Sequence, residues 1–215
     1  MEGNKVPNNV KQVDQHLRQF FRDDEISILH EIVSETVHTD VFVVKPNAQE
    51  GRDFYLLLSG GMSALPMTVP KGFEKFRYAE LVMLLPPDWN IEYEVRDVNN
   101  WWPVVLLMHL SKHPHQAETW LGFGHTFAYD LDEPFSSNNQ FVGIILLKSI
   151  TLPQKFQKIK GWPWQKSVNI YIVIPLYKEE LIFKREHGID ALLDLFDANQ
   201  ISEVVDLNRK NLCKP

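Results

Sequence analysis

The chain has 215 residues, 44% of them hydrophobic and 23% charged, with a net charge of -6, 13 prolines and one cysteine. A chain of this size buries roughly 70% of its extended surface on folding without a disulfide or structural metal, and the composition excludes a largely disordered or collagenous protein. The acidic balance argues against nucleic acid as a partner, the lone Cys213 excludes an intrachain disulfide and a thiol zinc site, and apolar runs at 101–108 and 141–147 are too short to span a membrane.

In chain order, Val10, Val13, Leu17, Phe20 and Phe21 fall on one face of a helix beginning at Asn9. Residues 28–34 (ILHEIVS) and 39–45 (TDVFVVK) read as strands, the second stopped by Pro46. A third strand over 54–58 ends at Ser59-Gly60-Gly61, and 62–76, with two prolines and no period, reads as a loop long enough to carry a role. Residues 78–85 make a fourth strand, stopped by Pro86-Pro87. From Asn100 the run WWPVVLLMHLSKH predicts a helix with Pro103 in its first turn and Pro114 at its end.

Strands follow over 119–127, 141–147 and 168–174, the last two apolar on nearly every position and therefore expected at the centre, covered on both faces. Residues 177–187 are helical with Gly188 as a C-terminal cap, and Ala191, Leu192, Leu195 and Phe196 form the stripe of a last helix. Val204-Val205 suggests a short edge strand. About seven strands and four helices in irregular order predict an α+β fold, with a mixed, largely antiparallel sheet flanked by helices. Residues 1–215 read as a single domain, with no internal repeat or flexible linker.

Charge is segregated along the chain. Residues 88–142 hold eight acids against Arg96 and Lys112, whereas 148–185 hold eight Lys and Arg against Glu179 and Glu180; 186–206 then carry six acids and no Lys or Arg. The charges are expected to mix on the folded surface; the alternative is opposed fields that steer a charged partner.

Ser63, in Gly60-Gly61-Met62-Ser63-Ala64, follows a strand as a nucleophile elbow would, but Leu65 occupies the place of that motif's second flanking glycine, and a turn serine is the expected role. Gly122-Phe123-Gly124 lacks the third glycine of a phosphate loop and suits a bulge or a positive φ instead. His109, His113, His115 and His125, with Asp130, Asp132 and Glu133 beyond, are of metal-ligating type but match no recognised spacing. His125 is expected to be buried and hydrogen-bonded. Cys213 sits in a tail read as too mobile to activate a thiol. Most tryptophans are expected in the core, with Trp162-Pro163-Trp164 the exception as an exposed platform. These residues predict no catalytic group, no metal and no cofactor.

The succession SGGMSALPMTVP, RYAELVMLLPPDW, WWPVVLLMHLSKHPH, TWLGFGHTF, YIVIPLYKEELIFKREHGIDALLDLFD and VVDLNR resembles the suppressor-of-fused family in its bacterial branch, over about residues 53–209. The resemblance implies a mixed α/β fold and a non-enzymatic protein-binding role; bacterial members are read as immunity proteins that neutralise toxin domains, and animal members sequester a zinc-finger transcription factor. Animal members clamp an extended peptide against a second domain, for which 215 residues leave no room, and Gly124 stands where their pattern has an acid before the histidine. The implied partner is a basic toxin domain in the cytoplasm, and the candidate binding residues are His113, Trp120, Gly122, Gly124 and His125. Alternatives are a regulator that sequesters a transcription factor, or a hydrolase or metal-dependent enzyme using Ser63 or His125.

Overall fold

The structure is a computed structural model that describes residues 8–32, 36–91, 97–161 and 167–214. Its described residues form one mixed sheet with strands β1 (Ile26–Leu29), β2 (Asp40–Val44), β3 (Tyr55–Gly60), β4 (Ala79–Leu85), β5 (Thr126–Ala128), β6 (Gly143–Leu147), β7 (Lys158–Ile159) and β8 (Val168–Leu176). Helices α1 (Asn8–Leu17), α2 (Val98–Gln116) and α3 (Lys178–Ala198) cover it. The strand order is β1-β2-β3-β4-β8-β6-β5, with β7 beside β8 off this path. Among the described strands β4 and β8 are the pair that runs parallel, and the chain between them supplies the crossover that a parallel neighbour requires.

Alternate residues of each strand enter opposite cores. Phe42, Leu58, Val82, Ile145 and Ile172 pack with Val10, Val13 and Leu17 of α1 and with Leu192 and Phe196 of α3. Val41, Leu57, Leu81, Leu146 and Val173 pack with Trp102, Leu106, Leu107 and Leu110 of α2. A sheet covered on both faces needs apolar side chains at every position, which is why β4, β6 and β8 read as continuous hydrophobic runs.

Several boundaries differ from the sequence reading for identifiable reasons. Helix α2 starts at Val98, capped by the Asp97 carboxylate accepting from Asn99 N at 3.0 Å, so Pro103 lies beyond the first turn. Its missing N–H leaves the Asn99 carbonyl without an intrahelical donor, and Asn138 Nδ2 donates to that carbonyl at 3.1 Å. Pro114 lies inside α2 rather than at its end, because a proline in the final turn forfeits one bond and its buried ring packs.

The predicted strand over 119–127 shrinks to β5, since Gly124 has φ 79 and turns the chain out of extended geometry. The two predicted C-terminal helices are both present within α3: Gly188, at φ 89 and ψ 175, ends the first helical stretch as expected, and the second runs on from the kink. Val204-Val205 contributes one parallel bridge to Leu84 instead of a strand. Strand β7, two residues long, was too short to show a period. The 62–76 segment is ordered by two 3₁₀ turns. The end of the predicted 28–34 strand and the Trp162-Pro163-Trp164 platform lie outside the described residues.

The C-terminal tail is anchored, contrary to the expectation of mobility. Arg209 forks both Glu180 oxygens at 2.6 Å, and Cys213 N donates to Asn211 Oδ1 at 3.1 Å. Burial, followed by the nearby Glu180 and Glu179 carboxylates, pushes the Cys213 thiol above its ordinary range, which lowers its thiolate fraction.

Candidate protein-interaction surface

The turn after β3 is built on one carboxylate. Glu80, fully buried in β4, accepts from Ser63 Oγ at 2.6 Å, Ser63 N at 3.0 Å and Gly61 N at 3.1 Å through Oε1, and from Ser59 Oγ at 2.5 Å through Oε2. Ser59 Oγ in turn accepts from Leu81 N at 2.8 Å. Burial raises the Glu80 carboxyl above the ordinary range, and the four hydrogen bonds oppose that shift without reversing it. Ser63 is therefore a buried turn serine tied to a carboxyl group, with its hydroxyl already engaged.

The four histidines diverge. His109 stands edge-on to Tyr129, His113 lies against the Phe127 ring at 4.4 Å, His115 bonds the Met62 carbonyl oxygen at 2.9 Å, and His125, half-buried rather than buried, is held edge-on against the Trp120 ring. Among the described residues no three His, Cys, Asp or Glu side chains come together at a spacing that could hold a metal ion. Burial lowers the pKa of His113, His115 and His125, and for His125 the Lys184 charge adds to the lowering, so all three imidazoles are neutral at pH 7.

Trp120, Gly122, Gly124 and His125 do converge. Gly124 N donates to Leu146 O at 2.7 Å while Leu146 N donates to His125 O at 2.9 Å, so two residues oppose one on β6 and Gly124 supplies the positive φ of a bulge. A Cβ on Gly122 would stand 2.7 Å from the Trp120 ring, so the bare backbone lets that indole fold across the turn. Trp120 then meets His125 edge-on at 4.3 Å and stacks beside Phe76 and Phe73 from the 62–76 segment. Phe73 and Phe123 remain exposed beside this cluster. His113 reaches the same side through Phe127 of β5.

The sequence reading missed Phe73 and Phe76. Their only signal is an aromatic pair in a segment otherwise poor in apolar period, and the partner Trp120 is distant in sequence.

Comparison with known proteins fixes the family. The family model described as Suppressor of fused protein (SUFU) matches residues 35–210. The chain belongs to the suppressor-of-fused family. It is similar to an uncharacterized protein of Ureaplasma parvum serovar 3, with 27% identity over 92% of each chain. It is also similar in structure to a suppressor-of-fused homolog from Neisseria gonorrhoeae FA 1090, with TM-score 0.70 and 17% identity over 97% of this chain and 98% of that one. The crystal structure of the Sufu–Fu complex matches at TM-score 0.66 and 12% identity, covering 97% of this chain and 93% of that one. Drosophila Suppressor of Fused matches at TM-score 0.66 and 13% identity; 96% of this chain is covered, and 51% of the Drosophila chain. The suppressor-of-fused fold, a mixed and mostly antiparallel sheet with flanking helices, is thus the fold of this chain.

In this suppressor-of-fused chain the bulge gives a direct test of structural against contact roles. His125→Ala should lower stability by about 1 kcal/mol, because it removes the ring that Trp120 packs on. Gly124→Ala should cost about 1 kcal/mol or more, since alanine is strained at φ 79 and its Cβ would press on Ile189 Cδ1 at 2.8 Å. Urea denaturation of both variants measures these effects. A fully stable His125→Ala protein that no longer binds its partner would make His125 a contact residue instead.

Proposed function

We propose that the chain is a non-enzymatic protein-binding domain acting in the cytoplasm, formed by residues 1–215 as one unit, and that it neutralises a basic toxin domain. The observation that carries the binding role is the edge of the sheet at β5. Among the described residues β5 pairs only with β6, and its open side is flanked by exposed Phe123, Tyr129 and Leu131 and by the Trp120–His125 cluster. An unpaired edge beside exposed aromatics is a surface that a partner segment can extend or cover.

His113, Trp120, Gly122, Gly124 and His125 are the residues proposed to shape it. Ser63 is committed to its bond with Glu80 and His125 packs edge-on against Trp120, which supports a binding role over hydrolysis or metal chemistry. Gly124 removes the acidic side chain of the animal pattern, which supports a toxin over a transcription factor. Among the described residues no helix is long and apolar enough to cross a membrane.

Toxin neutralisation is supported by the similarity to a bacterial suppressor-of-fused homolog and by the net charge of -6. Co-expression with a toxin domain encoded beside this gene, followed by pull-down and growth rescue, tests it. The complex should form, and its association rate should fall about tenfold from low to high salt, because surface charges act mainly on encounter. Absence of a complex, or an association rate indifferent to ionic strength, would count against this reading.

A further inference from the structure

Helix α2 carries two apolar stripes, and the sheet covers only one of them fully. Trp102, Leu106, Leu107 and Leu110 enter the core, while Val98, Trp101, Val105 and Met108 repeat at intervals of three and four beside them, Trp101 and Met108 packing partly against the core and Val98 and Val105 remaining exposed. This second stripe forms the floor of a groove of about 530 Å³, whose rims are the end of β1 with Ile32 and the segment after β5 with Tyr129 and Phe135. Val98 is 70% exposed, Val105 45% and Ile32 80%, so the groove leaves apolar surface in water.

Acids border the groove. Asp97 precedes Val98, and Asp130, Asp132 and Glu133 lie between the lining residues Tyr129 and Phe135, all four exposed. Lys112, one turn further along α2, is spent on an ion pair with Glu31, and Lys178 engages Asp132 alone of the four at 2.6 Å. Within the wall, the buried Trp102 Nε1 has no hydrogen-bond acceptor among the described residues. That N–H is itself inaccessible, so a bound segment would be recognised by the exposed stripe and the acidic rim.

We infer that this groove is the docking site for an amphipathic, lysine- or arginine-flanked segment of the protein partner. Apolar side chains of the segment cover the second stripe of α2, and its cations meet Asp97, Asp130 and Glu133 on the rim. The inference rests on the protein-binding reading and adds the chemistry of the bound segment and a location on α2, adjoining the β5 edge at Tyr129.

The probe is a short fluorescent peptide in which leucine and lysine alternate at helical spacing, compared with the same peptide carrying glutamate for lysine. Fluorescence anisotropy should show the lysine peptide binding at least about tenfold more tightly than the glutamate peptide. Val98→Gln and Val105→Gln should each weaken it about tenfold with an unchanged melting temperature, both positions being exposed on the helix. Asp130→Asn with Glu133→Gln should weaken it less and flatten its salt dependence. No binding, equal binding of both peptides, or binding unchanged in Val98→Gln and Val105→Gln would overturn the groove assignment. Failure of the toxin pull-down with intact peptide binding would instead fall on the proposed toxin partner and leave the groove standing.

Discussion

Glu80→Ala is expected to destabilise the protein by about 3–5 kcal/mol, the largest effect of any single polar substitution in the β3–β4 region. The reason is the number of groups that depend on it. Removing the carboxyl leaves the Gly61 and Ser63 amides without their acceptor in a buried turn, releases the Ser59 and Ser63 hydroxyls, and opens a void where a fully buried side chain stood. Each orphaned buried amide costs about 1–3 kcal/mol, and the two act together because they lie in one turn. Glu80→Gln should cost about 1–2 kcal/mol: the amide oxygen keeps the donors now on Oε1, and the Ser59 hydroxyl can turn to accept from the new NH₂.

The pH dependence gives this prediction a second readout. Burial raises the Glu80 carboxyl, so the folded state holds the proton more tightly than the unfolded chain does. The associated stability is fully present below the ordinary carboxylate range and is lost as pH rises through the elevated folded value. His16, His113, His115 and His125 act in the opposite sense. Burial lowers all four, so their stability is present above the ordinary imidazole range and is lost as pH falls through their folded values. Urea midpoints of wild type and Glu80→Gln across mildly acidic to neutral pH isolate the carboxyl contribution. The wild type should lose stability relative to the variant as pH rises; parallel curves, or a Glu80→Ala protein within about 1 kcal/mol of wild type, would refute this account.

Arg209→Met is expected to cost about 3–5 kcal/mol, because it strands a carboxylate with no access to solvent. Glu180 is fully buried and receives both arms of the guanidinium at 2.6 Å, together with Tyr177 N at 3.0 Å. The same guanidinium donates to Pro175 O at 2.9 Å and lies 4.7 Å from the Tyr177 ring centroid and 5.0 Å from that of Phe141. Lysine has neither the planar fork nor the flat face, so Arg209→Lys should recover only part of the loss, with about 1–2 kcal/mol still missing. Adding Glu180→Gln to Arg209→Met should restore stability towards wild type, since the unpaired charge is then gone. Limited proteolysis should cut the 206–214 tail of Arg209→Met first, because the guanidinium contacts that are lost, to Glu180 and to Pro175 O, hold that tail to α3 and β8. A single variant as stable as wild type, or a double variant no better than Arg209→Met, would contradict this picture.

These two networks explain why the family was legible before the fold. The motifs SGGMS and RYAEL are the two ends of the Glu80 network, and YKEEL and VVDLNR are the two ends of the Glu180–Arg209 pair. The signature therefore includes buried polar contacts between segments far apart in sequence, where few residue types satisfy every donor and acceptor. Composition alone could not place Glu80 or Glu180 inside. An acid in an apolar run reads as a solvent-facing position until its partners are brought to it.

What the sequence determined by itself was the set of elements whose burial is periodic or continuous. The α1 stripe of Val10, Val13 and Leu17, and the unbroken apolar runs of β6 and β8, both buried inside the sheet with β6 next to the edge strand, follow from hydrophobicity and its spacing. Gly122 and Gly124 announced a backbone irregularity from their chemistry, and the bulge lies there. Tertiary structure alone decided the parallel pairing of β4 with β8, the start of α2 at Val98 with Pro103 beyond its first turn and its run past Pro114, and the assembly of Trp120 with Phe73 and Phe76. Each depends on a partner supplied from elsewhere: Asn138 for the carbonyl released by Pro103, β8 for the edge of β4, the 62–76 segment for the Trp120 ring. It also decided which stripe of α2 faces the sheet. A helix apolar on two faces carries no local mark of the one that will be covered, and only the docking of the sheet leaves Val98 and Val105 in water.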